Sequence, residues 1–347
     1  MPLPFAPPYE PMLAQAQDEI PTGPGWRYEP KWDGFRALVF RDGASLELSS
    51  RESRPLARYF PELVSALAAA LPERCVVDGE IILPGPKGLD FEALQSRLHP
   101  AASRVNKLSL EIPTSFVAFD LLVLADDDLR ERPYAERREL LERHLRNTAS
   151  VFVTPQTREP KEAARWFVDF EGAGCDGVIA RREELPYSPG KRVMVKVKHG
   201  RTAECVVGGY REGKTPGTVG SLLLGLYDEA GVLHHVGHTS SFTAKEKKAL
   251  VEKLAPYVDG TSFGLGRTPD APSRWSPKAE KTWVSLRPEL VCEVRYDYLQ
   301  GARFRHASTF LRWREDRSPA SCTYAQLEPP RPFSLDAIRL LAPSSPG

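Results

Sequence analysis

The strongest constraint on the fold is a change in the sequence pattern near residue 202. Before it, apolar strand-like segments alternate with amphipathic helical segments, and Asp42-Gly43 between two such strands predicts a tight hairpin. After it, short strand-like segments are separated by Gly-rich turns, with one amphipathic helix among them. Because hairpins imply antiparallel pairing, we expect an α+β domain of antiparallel sheets with flanking helices, followed by a small β-barrel.

This change divides the chain into three predicted segments. Residues 1–201 form the first domain and residues 202–327 the second, since 347 residues are enough for about two domains. Five short strands and one helix fit a Greek-key barrel of the OB type, and an SH3-like barrel fits nearly as well. Residues 328–347 are rich in Pro and Ser, so we expect a loosely packed C-terminal tail.

Charge and cysteine patterns narrow the class of protein. The net charge of +1 hides two basic strips, residues 181–201 and 303–317, which can present a cationic face to a polyanion or simply be solvated. The five cysteines are scattered and never form a CxxC pair, which fits buried thiols in a reducing compartment. We find no secretion signal and no apolar run long enough to span a bilayer, so we expect a cytoplasmic protein without membrane contact.

The most informative motif is the octet Glu29-Pro30-Lys31-Trp32-Asp33-Gly34-Phe35-Arg36. A Lys-x-Asp-Gly segment alone is a weak signal, but Glu29 before it and Arg36 after it make the pattern far more specific. A lysine between two strands, beside a turn that glycine permits, can point its amine into a cleft. The alternative is a surface hairpin with an Asp-Gly turn.

The octet resembles motif I of the covalent nucleotidyltransferases, which include ATP-dependent DNA ligases, RNA ligases and mRNA-capping guanylyltransferases. Further segments resemble the other motifs of this superfamily in the same order: Ser50-Arg51, Asp78-Gly79-Glu80, Phe119-Asp120-Leu121-Leu122, Asp176-Gly177-Val178-Ile179-Ala180-Arg181, Lys196-Val197-Lys198 and Arg312-Trp313-Arg314-Glu315-Asp316-Arg317. The resemblance implies a nucleotidyltransferase (adenylation) domain followed by an OB-fold domain. The chain is most similar to the compact two-domain bacterial ATP-dependent DNA ligases.

The resemblance also implies a role for each matching residue. Lys31 would attack the α-phosphate of ATP and hold AMP as a phosphoramidate. Glu29 would bind the adenine amino group of ATP, and Phe119 would stack on the ring. Arg36 and Arg51 would contact nucleotide or nick phosphates, and Lys196 and Lys198 would hold the α-phosphate. Arg312 and Arg314 would orient the leaving pyrophosphate, and Arg181 would be a further nucleotide-binding residue. Glu80 and Asp176 would contact the ribose or a divalent metal, Mg²⁺ or Mn²⁺, since hard cations prefer oxygen ligands.

The nucleophile must become uncharged to react. A free lysine amine has a pKa near 10.4, so its deprotonation at pH 7 would cost about 4–5 kcal/mol. We expect burial and the cations of Lys196 and Lys198 to lower the pKa of Lys31. Four positions depart from the usual family pattern. Asp176 stands where glutamate is common, Arg181 and Arg317 stand where lysine is frequent, and Met194 stands where an aromatic residue often precedes the Lys196-Val197-Lys198 motif.

The predicted function is the sealing of nicks in duplex DNA, in repair or as an accessory activity. AMP would pass from lysyl-AMP to the 5′-phosphate, and the 3′-hydroxyl would then displace it. The protein should act as a monomer and contact the DNA backbone without sequence specificity. An RNA ligase or a GTP-dependent capping-type enzyme shares motif I and is one alternative. An inactive nucleic-acid-binding module is another, against which the intact Lys31, Glu80 and Lys196 argue.

Overall fold

The chain forms two compact units that interleave in sequence. The computed structural model describes residues 2–258, 261–263, 267–270, 282–297, 299–327 and 330–343. Unit 1 comprises Met1–His199 together with Pro330–Gly347, and unit 2 comprises Gly200–Pro329. Unit 2 is therefore an insertion in the sequence of unit 1. Among the described helices, none has the length and apolar character needed to cross a membrane.

Unit 1 is built from two main sheets and surrounding helices. Its strands are β1 (Leu13–Gln17), β2 (Trp26–Lys31), β3 (Phe35–Asp42), β4 (Ser45–Ser50), β5 (Arg74–Ile82), β6 (Pro84–Gly85), β7 (Gly88–Leu89), β8 (Ser115–Leu124), β9 (Asp127–Asp128), β10 (Val151–Val153), β11 (Gly177–Arg182) and β12 (Arg192–Lys198). Its helices before unit 2 are α1 (Pro61–Ala70), α2 (Phe91–Ser96), α3 (Ala102–Glu111), α4 (Tyr134–His144) and α5 (Pro160–Asp169).

The two sheets are antiparallel through their centres, as the hairpin signals predicted. The first sheet has the order β1-β12-β11-β2, and the second has the order β10-β8-β5-β3-β4 with β9 beside β8. Among the described strands, each sheet has one parallel pair at its edge, β1 with β12 and β10 with β8. The β8–β10 connection runs through α4, since parallel neighbours need a crossover that a tight turn cannot supply.

The main core of unit 1 lies against the second sheet. On α1, Leu63 and Leu67 occupy one face at i,i+4 spacing, and both are fully buried. They pack in one cluster with Val77 of β5 and Phe116 of β8. Pro61 occupies the first turn of α1, where the missing N–H costs nothing. This packing fixes β3, β5 and β8, which carry much of the site described below.

Unit 2 contains the second sheet-rich core. Its elements are β13 (Arg201–Glu212), β14 (Val219–Tyr227), β15 (Leu233–Thr239), α6 (Ala244–Leu254), β16 (Val284–Ser285), β17 (Val291–Tyr296), β18 (Leu299–Gln300), β19 (Arg303–Phe304) and β20 (Thr309–Trp313). The order is β15-β14-β13-β17-β20, with β16 beside β13 and every pair antiparallel. A bridge between Thr239 and Ser308 connects the two edge strands, which curls the sheet toward a barrel. The helix α6 begins with a capping box made by Thr243 and Glu246.

The C-terminal segment differs from the loosely packed tail that its composition predicted. Residues 330–343 pack against unit 1 and include a short helix, α7 (Leu335–Arg339). Ile338 is fully buried in a cluster with Trp32 and Trp166. A Cβ atom added to Gly172 would lie 1.7 Å from the Arg331 carbonyl oxygen, which shows how closely the segment approaches. Composition cannot reveal that a few apolar residues among prolines have a partner surface.

All five cysteines are buried free thiols, as their scattered positions predicted. Burial raises the pKa of each thiol above its ordinary value. These thiols are therefore part of the packing and are poor nucleophiles.

Candidate active site

A cavity of about 560 Å³ opens in unit 1 and is lined by residues of both sheets. This volume lies within the range that is usual for small-molecule sites. Eight of the predicted site residues line it: Glu29, Lys31, Arg36, Arg51, Glu80, Phe119, Arg181 and Lys196. Asp176 and Lys198 join the group because Asp176 contacts both Lys31 and Lys198.

Lys31 is the last residue of β2, directly before the turn to β3. Two glycines allow the close approaches that place it there. A Cβ on Gly34 would lie 2.1 Å from the Ile81 carbonyl oxygen, so only glycine lets this turn lie against β5. Gly177 of β11 pairs with Lys31 of β2, and a Cβ on Gly177 would lie 2.0 Å from the Val197 carbonyl oxygen. The motif glycines therefore bring the lysine against both sheets.

Asp176 sets the charge of the lysine. Lys31 Nζ donates a hydrogen bond to Asp176 Oδ2 at 2.7 Å, and Lys198 Nζ lies 3.2 Å from the same oxygen. Burial favours the neutral amine, but the charge of Asp176 and this hydrogen bond outweigh burial and raise the pKa of Lys31. Burial likewise opposes ionisation of Asp176, yet the two ammonium groups hold its pKa well below its ordinary value.

The expected lowering of the pKa of Lys31 by neighbouring cations is therefore wrong for this structure. The Lys198 ammonium forms an ion pair with Asp176, so its positive charge is largely offset and does little to lower the pKa of Lys31. Burial and the charges of Lys198 and Lys31 lower the pKa of Lys196 itself. The register of β2 and β11, which puts an acid beside the lysine, is the cause of the difference.

Glu80 of β5 is the second acid near the lysine. Burial raises its pKa to about 8, although Lys31 and Arg36 oppose the shift. The unfolded chain has a carboxyl pKa near the ordinary 4.5, so the folded protein binds this proton more tightly. The resulting stabilisation is complete below the unfolded pKa and is lost as the pH rises through about 8.

Glu80→Gln should therefore become increasingly favourable as the pH rises. Glutamine cannot ionise, so the variant avoids the cost of a buried carboxylate, and it should gain about 1–3 kcal/mol over the wild type between about pH 5 and about pH 9. Thermal unfolding of both proteins at the two pH values, without nucleotide or metal, measures the difference. Glu52→Gln is the control, because the Glu52 side chain at the same cavity is 62% exposed. Equal pH dependence of all three proteins would rule out the buried carboxylate.

A chain of alternating buried charges lies behind the cavity. Glu29 accepts a hydrogen bond from Arg181 Nε at 2.8 Å, and Arg181 Nη1 donates to Asp120 at 3.4 Å. Asp120 in turn accepts two bonds from Arg137, at 2.8 and 3.0 Å. All four side chains are almost completely buried. Because an unpaired buried charge is costly, the alternating order makes this burial possible and fixes the orientation of Glu29.

Phe119 and Arg36 form the wall beside Glu80. The Phe119 ring has the guanidinium carbons of Arg181 and Arg36 at 4.7 and 5.2 Å from its centroid. Arg36 also donates two bonds to Asp78, at 3.0 and 2.6 Å, and Tyr187 donates its hydroxyl to Asp78 at 2.7 Å. The ring thus contacts cations in this structure, and its stacking on adenine stays a prediction.

The remaining predicted residues each have an acidic neighbour. The Arg51 side chain is 64% exposed at the cavity, with Glu52 at 4.0 Å. Arg312 and Arg314 belong to unit 2, where each is paired with acids: Arg312 with Glu293 at 2.7 Å, and Arg314 with Glu204 and with Asp316. These arginines are already neutralised within their own unit.

Several residues of the site were not predicted: Asp78, Asp120, Arg137, Gln156 and Tyr187. Asp78 and Asp120 lie inside motifs but had been given no role, although an acid within an apolar strand must find a partner when buried. Gln156 donates to Glu29 at 2.9 Å and also to the Tyr134 hydroxyl. Nothing in the local sequence around Gln156 indicates that contact.

The carboxylates fit a divalent metal only in part. In the described residues no cluster of three or more His, Cys, Asp or Glu side chains forms a metal site. Glu80 is a free oxygen donor at the cavity, whereas Asp176 is already bound by two lysines. Mg²⁺ is often held by one or two carboxylates together with substrate phosphates, and Glu80 meets that requirement.

Comparison with known proteins agrees with this geometry. A family model described as "ATP dependent DNA ligase domain" matches residues 11–198, and one described as "ATP dependent DNA ligase C terminal region" matches residues 215–317. DNA ligase C2 of Mycolicibacterium smegmatis is 51% identical, over 98% of this chain and 100% of its own length. DNA ligase C of Mycobacterium tuberculosis is 52% identical, over 97% and 99%. A solved structure from work on Lig E DNA ligases covers 87% of this chain and 99% of its own, with a TM-score of 0.53 and 19% identity, which supports the predicted fold alone.

Proposed function

This chain belongs to the ATP-dependent DNA ligase family, as its motifs predicted, and we propose that Lys31 is the residue that takes AMP from ATP. In the first step the Lys31 amine attacks the α-phosphorus. A phosphorus–nitrogen bond forms, the bond to pyrophosphate breaks, and the amine proton is released. AMP then passes to the 5′-phosphate at a nick, and the adjacent 3′-hydroxyl displaces it. The observation that carries the proposal is the Lys31 ammonium at the wall of a cavity of nucleotide size.

The charges around the cavity support the assignment of the other residues. Lys196 and Lys198 lie on the same face of β12, two residues apart, where both can reach phosphate oxygens beside Lys31. Negative charge spreads over the phosphate oxygens in the transition state, and fixed cations stabilise it. Asp176 positions the Lys31 amine by its hydrogen bond until the phosphates offer both lysines another partner. Glu29 and Phe119 contact the base, and Arg36 and Arg51 contact phosphate.

Glu80 is the residue that would hold a divalent cation, with phosphate oxygens of ATP completing its ligand set. Such an ion supplies positive charge that offsets the charge of the triphosphate. Asp176 would contribute only after releasing the two lysines that bind it. Arg312 and Arg314 would orient the pyrophosphate, and for this they must exchange their acidic partners for phosphate oxygens.

Mass spectrometry of the protein incubated with ATP and Mg²⁺ tests the proposal directly. We expect a gain of one AMP that maps to Lys31, and no corresponding gain with GTP. Lys191→Ala is the control, because Lys191 is exposed and belongs to none of the contacts above. An adduct on another lysine would contradict the assignment of the nucleophile. An adduct formed from GTP in place of ATP would favour the capping-type alternative.

The substrate is proposed to be nicked duplex DNA, bound as a monomer in the cytoplasm. Family membership supports DNA as the substrate, and five free buried thiols are compatible with a reducing compartment. Competition between nicked DNA and nicked RNA duplexes distinguishes a DNA ligase from an RNA ligase. Preferential sealing of the RNA duplex would overturn the choice of substrate.

A further inference from the structure

Two groups of arginines in unit 2 differ in their partners. The first group lies in the Arg312–Arg317 stretch, and each member has an acid beside it. Arg312 pairs with Glu293 at 2.7 Å, Arg314 pairs with Asp316 at 2.8 Å, and Arg317 lies 3.0 Å from Glu204. This part of the basic strip 303–317 therefore exposes little net positive charge.

The second group consists of Arg211, Arg267 and Arg303. Within the described part of the chain, none of the three forms an ion pair with a carboxylate. Each is only partly exposed, and each donates to a carbonyl oxygen or a histidine nitrogen, partners that carry no negative charge. Of the six arginines in the two groups, only the three of the second group carry positive charge that no carboxylate of the described residues offsets.

Hydrogen bonds hold Arg267 in place against β15 and the β18–β19 turn. The Arg267 backbone N–H donates to His234 Nδ1 at 3.1 Å, and the His235 backbone N–H donates to the Arg267 carbonyl at 2.9 Å. The Arg267 side chain reaches the Ala302 carbonyl at 3.3 Å. Arg303 follows Ala302 directly, so the two guanidinium groups lie on neighbouring segments.

The other two arginines join the same group. Arg303 Nη2 lies 2.7 Å from His235 Nδ1, and Arg211 Nη2 donates to the Pro269 carbonyl at 3.2 Å. Pro269 is two residues beyond Arg267. Three segments that are far apart in sequence, at residues 211, 267 and 303, therefore meet through one set of bonds. Arg211 Nε is buried and has no partner within the residues that the structure describes.

His235 orients Arg303 without neutralising it. Arginine can only donate, so Nδ1 of His235 must be the acceptor and the ring must be neutral. Burial, together with the charges of Arg303 and Arg211, lowers the pKa of His235 to about 3, so it stays neutral at physiological pH. The site thus contains three fixed cations and a neutral positioning side chain.

This arrangement is unfavourable unless an anion completes it. Burial lowers the pKa of Arg211, and burial together with Arg267 lowers the pKa of Arg303, so the folded structure opposes their charges. Guanidinium groups remain charged under all ordinary conditions, and desolvating them without a counter-ion costs free energy. Their planar N–H groups match the oxygens of phosphate in a bidentate geometry.

We propose that Arg211, Arg267 and Arg303 form a phosphate-binding pocket in unit 2, and that it takes a phosphodiester of the DNA backbone. The pocket, and not the acid-paired Arg312–Arg317 stretch, is then the principal anchor of unit 2 on the duplex. Contacts of this kind set the position of the protein without reading sequence. The inference rests on the proposed DNA substrate and adds the residues that bind its backbone.

The test compares binding of a nicked duplex by the wild type and by the double variant Arg211→Gln, Arg303→Gln across a salt series. Each phosphate contact contributes about 0.9 to the slope of log affinity against log salt, so the slope should fall by about 1 to 2. At the lowest salt, affinity should fall about tenfold or more. Arg287→Gln is the matched control, an arginine of the same unit that is paired with Glu289 at 2.8 Å, and it should leave the slope unchanged.

Two further readouts separate this inference from its alternatives. Transfer of AMP from ATP to the protein should be the same in the wild type and in all variants. Its absence in the wild type would count against the proposed function and not against the pocket, whereas its loss in the double variant alone would count against a role limited to DNA binding. The double variant should unfold at the same temperature as the wild type or higher, because it loses unpaired cations. An unchanged salt slope in the double variant would overturn the inference. If inorganic phosphate, at constant ionic strength, stabilises only the wild type while DNA binding is equal, the pocket binds free anions and the DNA assignment is wrong.

Discussion

Lys31→Ala is expected to abolish formation of the protein–AMP adduct and to lower nick sealing by about four orders of magnitude or more, the scale seen when a covalent nucleophile is removed. Alanine has no amine to attack phosphorus, and Lys196 and Lys198, which bind phosphate oxygens in the proposed reaction, do not supply the attacking amine. Gel assays with α-labelled ATP and with a nicked duplex measure the two losses separately.

A nick that already carries 5′-linked AMP provides the control for this variant. Such a substrate needs no lysyl intermediate, so Lys31→Ala should seal it much faster than it seals the ordinary nick. That result would show that the variant is folded and still binds DNA. If Lys31→Ala left both AMP transfer and sealing of the ordinary nick intact, Lys31 would not be the nucleophile.

Arg137→Leu should strongly destabilise unit 1, at a cost of about 3–5 kcal/mol, the usual penalty for breaking a buried ion pair. Arg137 is fully buried and makes two bonds to Asp120, which is also fully buried. Without Arg137, Asp120 keeps the hydrogen bond from the Leu121 backbone N–H at 3.0 Å and the longer 3.4 Å contact with Arg181. Denaturant or thermal unfolding measures the loss.

Arg143→Leu is the matched control, because it removes an arginine from the same helix, α4. Arg143 forms an exposed i,i+4 pair with Glu139, and such pairs contribute only about 0.3–0.5 kcal/mol. The comparison isolates burial from helix propensity, since both substitutions are Arg to Leu. Similar losses in the two variants would show that the Asp120 pair has no special role in the fold.

The sequence predicts the parts of the fold that depend on local pattern. The hairpin at Asp42-Gly43 and the strand carrying Phe119 follow from short-range signals, and the structure has both. Other elements were missed, β1 and α3 among them. The strand β1 forms only by pairing with β12, nearly 180 residues away, and α3 has few buried apolar residues and leaves Leu110 85% exposed. Their stability comes from tertiary contacts that no local window contains.

The candidate site was predictable as a set of residues and not as a set of interactions. The motif resemblance assigned Lys31, Glu80 and Lys196 to one site, and the structure places all three at one cavity. The partner of Lys31 depends on the register of β2 and β11, which hydrophobic pattern does not determine. In the same way, Arg137 is typical of a solvated helix face by its sequence, yet its charge is buried against Asp120.

The return of residues 330–343 to unit 1 also orders events during synthesis. Trp32, the neighbour of Lys31, shares its apolar cluster with Ile338, which the ribosome adds about three hundred residues later. Domains generally fold as they emerge, N-terminal part first. The apolar cluster that contains Trp32 and Ile338 cannot form completely until the whole of unit 2 has been translated. A chain released before residue 338 therefore lacks the packing of Ile338 against this cluster.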